Sequence, residues 1–233
     1  MCNAATSTFI RELSLIRDDT FATARAYFTY KAIHAFGAES KENYHVLNRH
    51  SIFWNITLYS LQNTFFTCLG RIFDQKSPHG IDTLVRTAQE NPGMFSTKAL
   101  SERRKGNFRT EAELNEYVGK AYVPTAADFR ALRKEVAAKR KIFEEKYRDI
   151  RHKVFAHKEV VEDDERRALF SKTNIGEFEE LMEFLFNLEA AMQSLLDNGD
   201  DPSLAAHRWT FFEDVKREAK DDLRAMLQGE KKE

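Results

Sequence analysis

The stretch "HSIFWNITLYSLQNTFFTCLGRIFDQKS", residues 50–77, decides the fold class. Trp54, Leu58, Leu61, Phe65, Cys68 and Ile72 recur every three or four residues, and Leu47 extends the series upstream. That period marks one buried face of an α-helix, whereas a strand would alternate in twos. The spacing predicts a long helix from about Lys41 to Phe73. Its aromatic residues, Trp54, Phe65 and Phe66 among them, belong to a core or to a dimer interface.

The same rhythm continues outward. Phe9, Ile10, Leu13, Ile16, Phe21, Ala24, Phe28 and Ile33 predict a first helix over 7–36, with Gly37 as its stop. Residues 74–123 break the rhythm: "DQKSPHG", "NPGMF" and "RKGN" are turn signals, set between short helical pieces such as "IDTLVRTAQE" and "EAELNEYV". A third long helix opens at Thr125, with Asp128 in the capping-box slot, and is expected to run to about His157. The acidic "EDDE" at 162–165 reads as a solvated loop. Asn174 and Glu177 then signal a helix carrying Phe178, Leu181, Leu185, Leu188, Met192 and Leu195 to about Asp197. A terminal helix closes the chain within 205–233. The expected fold is all-α: one domain, 1–233, built as a bundle of four or five long helices, with 74–123 as a helical insertion between the second and third.

Composition agrees. Four prolines and nine glycines in 233 residues leave few helix breakers. A formal net charge of −1 provides no global basic field, so any nucleic-acid footprint must be local. Cys2 and Cys68 fit no zinc or redox spacing, and a reducing compartment is expected. The N-terminus meets charge too soon for a signal peptide, and no apolar run reaches the roughly 20 residues of a membrane span. The expectation is a cytoplasmic protein with no membrane partner.

The chemistry-bearing candidate is "RDIRHKVFAHKE", residues 148–159, with Arg151 and His157 near the end of the third long helix. On a wheel of about 100° per residue, Phe143, Tyr147, Ile150 and Val154 form the buried stripe. Arg151 and His157 flank that stripe on opposite sides, about 9 Å apart along the axis. With seven histidines in the chain, so loose a spacing arises by chance about once or twice. Taken alone, His157 is as readily a helix-end histidine favoured by the dipole.

The surroundings of the pair say more. Arginine, a polar residue, lysine, two apolar residues and then "AH" before a charged pair resembles the signature of the HEPN superfamily. The upstream "W…L…LGRIFD" run, from Trp54 to Asp74, is similar to its AbiU-type abortive-infection branch. His152 fills a slot that is often Asn. The resemblance, over about residues 5 to 195, implies a metal-independent endoribonuclease without a cofactor, acting as a toxin or anti-phage effector on RNA. It implies a homodimer in which two Arg–His pairs share one composite cleft, and it leaves room for an antitoxin or regulatory partner. Arg151 and His157 would be catalytic; His152, Lys153, Arg148 and Lys158 would support them or bind RNA. Arginine suits charge on a phosphate in flight, and histidine suits proton transfer at neutral pH. The other reading is a non-catalytic HEPN module that dimerises and binds RNA or protein.

Two basic features remain open. Arg130, Arg133, Lys134, Lys139, Arg140, Lys141 and Lys146 could track a phosphate backbone, but interleaved Glu135, Glu144, Glu145 and Asp149 fit a salt-bridged face equally well. "SERRKGNFR", residues 101–109, is either a soluble surface or an RNA-contacting loop.

Overall fold

The computed structural model describes residues 4–75, 77, 79–156, 162–206 and 211–229. The protein is an all-α helical bundle, and no strand occurs among the described residues. In chain order the helices are α1 (Ala4–Glu39), α2 (Lys41–Arg49), α3 (Ser51–Phe73), α4 (Ile81–Glu90), α5 (Thr97–Arg104) and α6 (Glu111–Gly119). They continue as α7 (Ala126–Lys146), a π-helical segment (Ile150–Ala156), α8 (Asp163–Ser171), α9 (Ile175–Asn198) and α10 (Phe211–Gly229).

The capping chemistry explains several boundaries. Asp128 Oδ2 accepts from the Thr125 backbone N–H at 2.6 Å and from its hydroxyl at 2.8 Å, which sets the start of α7. Asn174 Oδ1 accepts from the N–H groups of Gly176 at 2.8 Å and Glu177 at 3.3 Å, which starts α9. Thr110 and Glu113 form a full capping box at α6.

Four boundaries differ from the sequence reading. α1 passes through Gly37 and ends at Glu39. A Cβ at Gly37 would lie 3.0 Å from Leu47 Cδ1, so this glycine admits α2 closely instead of stopping a helix. The predicted 41–73 helix is two helices, broken at His50, whose φ of −122° and ψ of 43° are not helical. The "EDDE" stretch is no loop: Glu162 occupies the N-cap position of α8 without a side-chain capping bond, and Asp163, Asp164 and Glu165 form its first turn, where acidic side chains favour the dipole. Finally, α7 ends at Lys146, and the chain continues to Ala156 as a turn and a π segment.

The chain divides into two compact units. The first comprises residues 1–18, 71–143 and 179–209, and the second 19–70, 144–178 and 210–233. The first unit is centred on Phe9, Phe95 and Phe129, with ring centroids 5.5 Å apart for Phe9–Phe95 and 5.7 Å for Phe95–Phe129. It also buries Glu189, whose carboxylate accepts from Arg17 Nε at 2.7 Å. Burial raises the Glu189 pKa, and Arg17 opposes that shift. The second unit has an aromatic core in which Tyr27, Phe65, Phe66 and Tyr147 all pack on Phe178. Of the predicted site residues, Arg148, Arg151, His152 and Lys153 belong to this second unit.

Candidate functional site

The site is built around Tyr147, the residue at which α7 gives way. Its side chain is 1% exposed, and its phenol donates to the Asn174 carbonyl at 3.0 Å. Beside it, Lys146 Nζ pairs with Glu177 at 2.6 Å. Both contacts tie the end of α7 to the start of α9.

After this pin the chain runs as a π-helix, whose hydrogen bonds span five residues instead of four. In an α-helix, residues five apart point to different sides; a π-helical turn brings them onto one side. Ile150 is fully buried, and Phe155 stacks on Phe66 with ring centroids 5.3 Å apart and 18° between planes. Phe155 also meets Tyr59 of α3 at 5.9 Å. Val154, expected in the stripe, is only half-buried, as is Phe155, whose partners are Phe66 and Tyr59. The 100° wheel therefore does not hold across 150–156.

Arg151 follows Ile150 and is half-buried. Its arm lies across Gly70 of α3. A Cβ added at Gly70 would stand 2.9 Å from Arg151 Nε and 3.1 Å from both Cδ and Cγ. Only the missing side chain leaves that space. The glycine of "LGRIFD" is thus the seat of the arginine of "RHKVFAH", two stretches about 80 residues apart in sequence.

Arg151 Nη1 also lies 3.2 Å from His152 Nε2. A guanidinium can only donate, so in this contact the His152 ring nitrogen is the acceptor. Of the other expected residues, Lys153 Nζ pairs with Glu165 of α8 at 2.6 Å, and Arg148 Nε lies 3.7 Å from Asp149. His157 and Lys158 lie outside the described residues. The structure thus brings Arg151 and His152 together and ties Lys153 to an acid. Gly70 and Phe155 were not singled out in the sequence, and Tyr147 was read only as a member of the buried stripe. A glycine in the middle of a buried helical stripe was the available signal for the first.

The two open basic features gain definition. Along α7, Arg133 bonds to Gln89, and Arg140 and Lys139 pair with Asp82 and Glu180. In the 101–109 segment, Arg103 donates to the carbonyls of Met94 and Leu196 at 2.8 Å each. Arg104 donates to the Asp197 carbonyl at 2.6 Å and to Asn198. These two arginines close the C-terminal end of α9. Among the described residues, no cluster of three or more His, Cys, Asp or Glu side chains is placed to hold a metal ion. Among them, too, no helix is long and apolar enough to cross a membrane.

A family model, HEPN_AbiU2, described as AbiU2, matches residues 6–223. The chain belongs to the HEPN_AbiU2 family. No curated protein and no solved structure matches it. For a HEPN_AbiU2 member, membership assigns the AbiU branch of the HEPN superfamily and is consistent with an abortive-infection module.

Proposed function

We propose that this chain is a metal-independent endoribonuclease that acts as a toxin or anti-phage effector, with Arg151 and His157 at a composite site shared by two copies. The observation that carries the reading is the Gly70 seat, which fixes the arm of Arg151 beside the segment that leads to His157. An arginine held in place costs little to reorganise when charge develops on a phosphate.

In the reaction, a histidine removes the proton of a ribose 2′-hydroxyl, and that oxygen attacks the adjacent phosphorus. The bond from phosphorus to the 5′-oxygen breaks, and the leaving oxygen takes a proton from an acid. The products are a 2′,3′-cyclic phosphate and a 5′-hydroxyl. Arg151 neutralises the non-bridging oxygens during transfer. One proton is taken and one is given, so two copies of His157 in one cleft supply a base and an acid.

A second copy has a surface to meet. Ile52, Ile56 and Tyr59 lie four and three residues apart on α3, the spacing of a helix–helix seam. Ile52 is 80% exposed and Ile56 65%, with Phe53 exposed beside them. Tyr59 ends this seam against Phe155 of the π segment. The near-neutral net charge and the pairing of Lys153 with Glu165 favour the second reading, a non-catalytic module.

The deciding experiment is RNA cleavage in excess EDTA by the wild type, Arg151→Ala and His157→Ala. The expected result is cleavage that survives the chelator and leaves cyclic phosphate ends, with each variant reduced by about 10²-fold or more. Cleavage equal in all three proteins overturns the assignment of the site. None in any of them favours the binding module.

A further inference from the structure

α10 carries five acidic residues, Glu213, Asp214, Glu218, Asp221 and Asp222, and four basic ones, Lys216, Arg217, Lys220 and Arg224. Beside α1 the two signs are sorted. The two helices border a cleft of about 170 Å³ within the second unit, and α10 lines it with Lys216, Lys220 and Arg224 but with none of its acids. These cations stand four residues apart, one above another along an edge of the helix. Lys31 of α1 also lines the cleft, with its Nζ 5.5 Å from the centroid of the Tyr27 ring. Among the described residues the one acid in the lining is Glu39, whose carboxylate accepts from Arg224 at 2.6 Å.

The floor is apolar. Phe28, Phe36 and Leu223 are buried at its base, and Phe28 is fixed against Phe212 of α10 with ring centroids 5.1 Å apart. Between the two phenylalanines, α1 contributes only the small side chains of Ala32 and Ala35 to the apolar lining.

Size and charge together select an occupant. A cavity of about 150 Å³ holds one benzene ring, so this cleft takes one ring or one branched aliphatic side chain. A drug-sized ligand needs about 300 Å³ or more. The cations reach further than that single anchor: Lys216 to Arg224 spans about 12 Å along α10 at about 1.5 Å per residue. One small carboxylic acid would meet only part of the row. A phosphate backbone would satisfy the cations but leave the apolar cleft unfilled. A chain with several carboxylates around one bulky apolar side chain matches both features. We infer that the α1–α10 cleft docks an acidic peptide segment of a partner protein, with one Phe, Leu or Trp seated over Ala32 and Ala35 and its flanking carboxylates on Lys216, Lys220 and Arg224. A single anchor in a pocket ringed by complementary charge is a common form of peptide recognition. Glu39 marks the contact that a partner carboxylate would make with Arg224. Arg224 and Glu39 are 39% and 42% exposed, and an ion pair so open to water is weak enough to exchange.

The inference does not depend on cleavage, and binding is measured directly on the full chain. The probes are short fluorescein-labelled peptides of glutamate and alanine around one central Phe, Leu or Trp, read by fluorescence anisotropy. Beside them stand the same peptides with Ala at the centre, or with Gln in place of Glu. Saturable binding of at least one anchored acidic peptide is expected, weaker by about tenfold or more in either control and weaker at high salt. Ala35→Leu fills the cleft with another good helix former and should weaken that peptide about tenfold. The double variant Lys216→Ala, Lys220→Ala changes only exposed side chains, so it keeps the core intact, and it should weaken the peptide to a similar degree. Binding should be unchanged in Arg151→Ala and His157→Ala, which separates this site from the cleavage reading. Phosphatidylserine vesicles and a single-stranded hexauridylate are added as competitors. Displacement by either at a lower concentration than the unlabelled peptide would assign the cations to a membrane or a nucleic acid and overturn the inference. No saturable binding, equal binding of the Ala-centred peptide, or full affinity in either cleft variant overturns it as well.

Discussion

Gly70 and Arg151 show how much one absent methyl group controls. Gly70→Ala would place a carbon within about 3 Å of the Arg151 arm. Alanine improves helix propensity by about 1 kcal/mol, which offsets much of the 1–3 kcal/mol that overpacking costs. The melting temperature should therefore move little. The guanidinium, however, must shift, and if Arg151 acts in cleavage as proposed, a displacement of that size costs about 10²-fold. Thermal melts and cleavage assays on the same preparation check this; unchanged cleavage would show that the seat does not matter. Tyr147 makes a second prediction. Burial pushes its phenol pKa up to about 12 from 10.0, and the nearby Glu177 carboxylate pushes the same way. A raised acid is stabilising while protonated, so its contribution is complete below pH 10 and is lost as pH rises towards 12. Tyr147→Phe should cost about 1 kcal/mol at neutral pH, through the hydrogen bond to Asn174, and should flatten the alkaline part of the stability curve. Denaturant titrations at pH 8 and pH 11.5 decide it, and parallel curves for the two proteins would refute it.

At the scale of elements, helix starts were legible and interruptions were not. Thr125 with Asp128 and Asn174 with Glu177 declare themselves because a cap needs particular side chains at fixed offsets. The break at His50 and the π segment leave the apolar period almost intact, so a pattern of threes and fours passes over them. Gly37 misled because a helix can run through glycine when a neighbour must come close. The basic 101–109 segment likewise could not be resolved from its composition, since its partners are backbone carbonyls about 93 residues away. Its role is testable. Arg103→Ala removes two hydrogen bonds from a charged donor and should lower stability by about 2 kcal/mol, while leaving RNA binding unchanged. Filter binding beside calorimetry measures both, and a specific loss of RNA affinity at constant stability would restore the contact-loop reading.

For the whole molecule, the sequence conveyed the class of fold and drew attention to two stretches, but did not show that they meet. The approach of Gly70 to Arg151 is a tertiary fact, because nothing in the local pattern of either stretch encodes the other. Assembly is the property to test at this scale. Ile56 is 65% exposed on α3, so Ile56→Glu should not disturb the core. It should dissociate a dimer built on that seam, and cleavage should fall with it, since a composite site needs both copies. Sedimentation equilibrium of the wild type and the variant gives the answer. A wild type that is monomeric at micromolar concentration, or a variant that stays dimeric, would remove α3 from the interface.

The seat at position 70 also has an evolutionary consequence. A glycine maintained only to make room for an arginine is constrained for as long as the arginine remains. Chains descended from the same ancestor that lost the arginine would be free to accept alanine or serine there, because the helix itself would gain by it. The two positions should therefore drift together through the lineage, and a side chain at the first should predict a missing cation at the second.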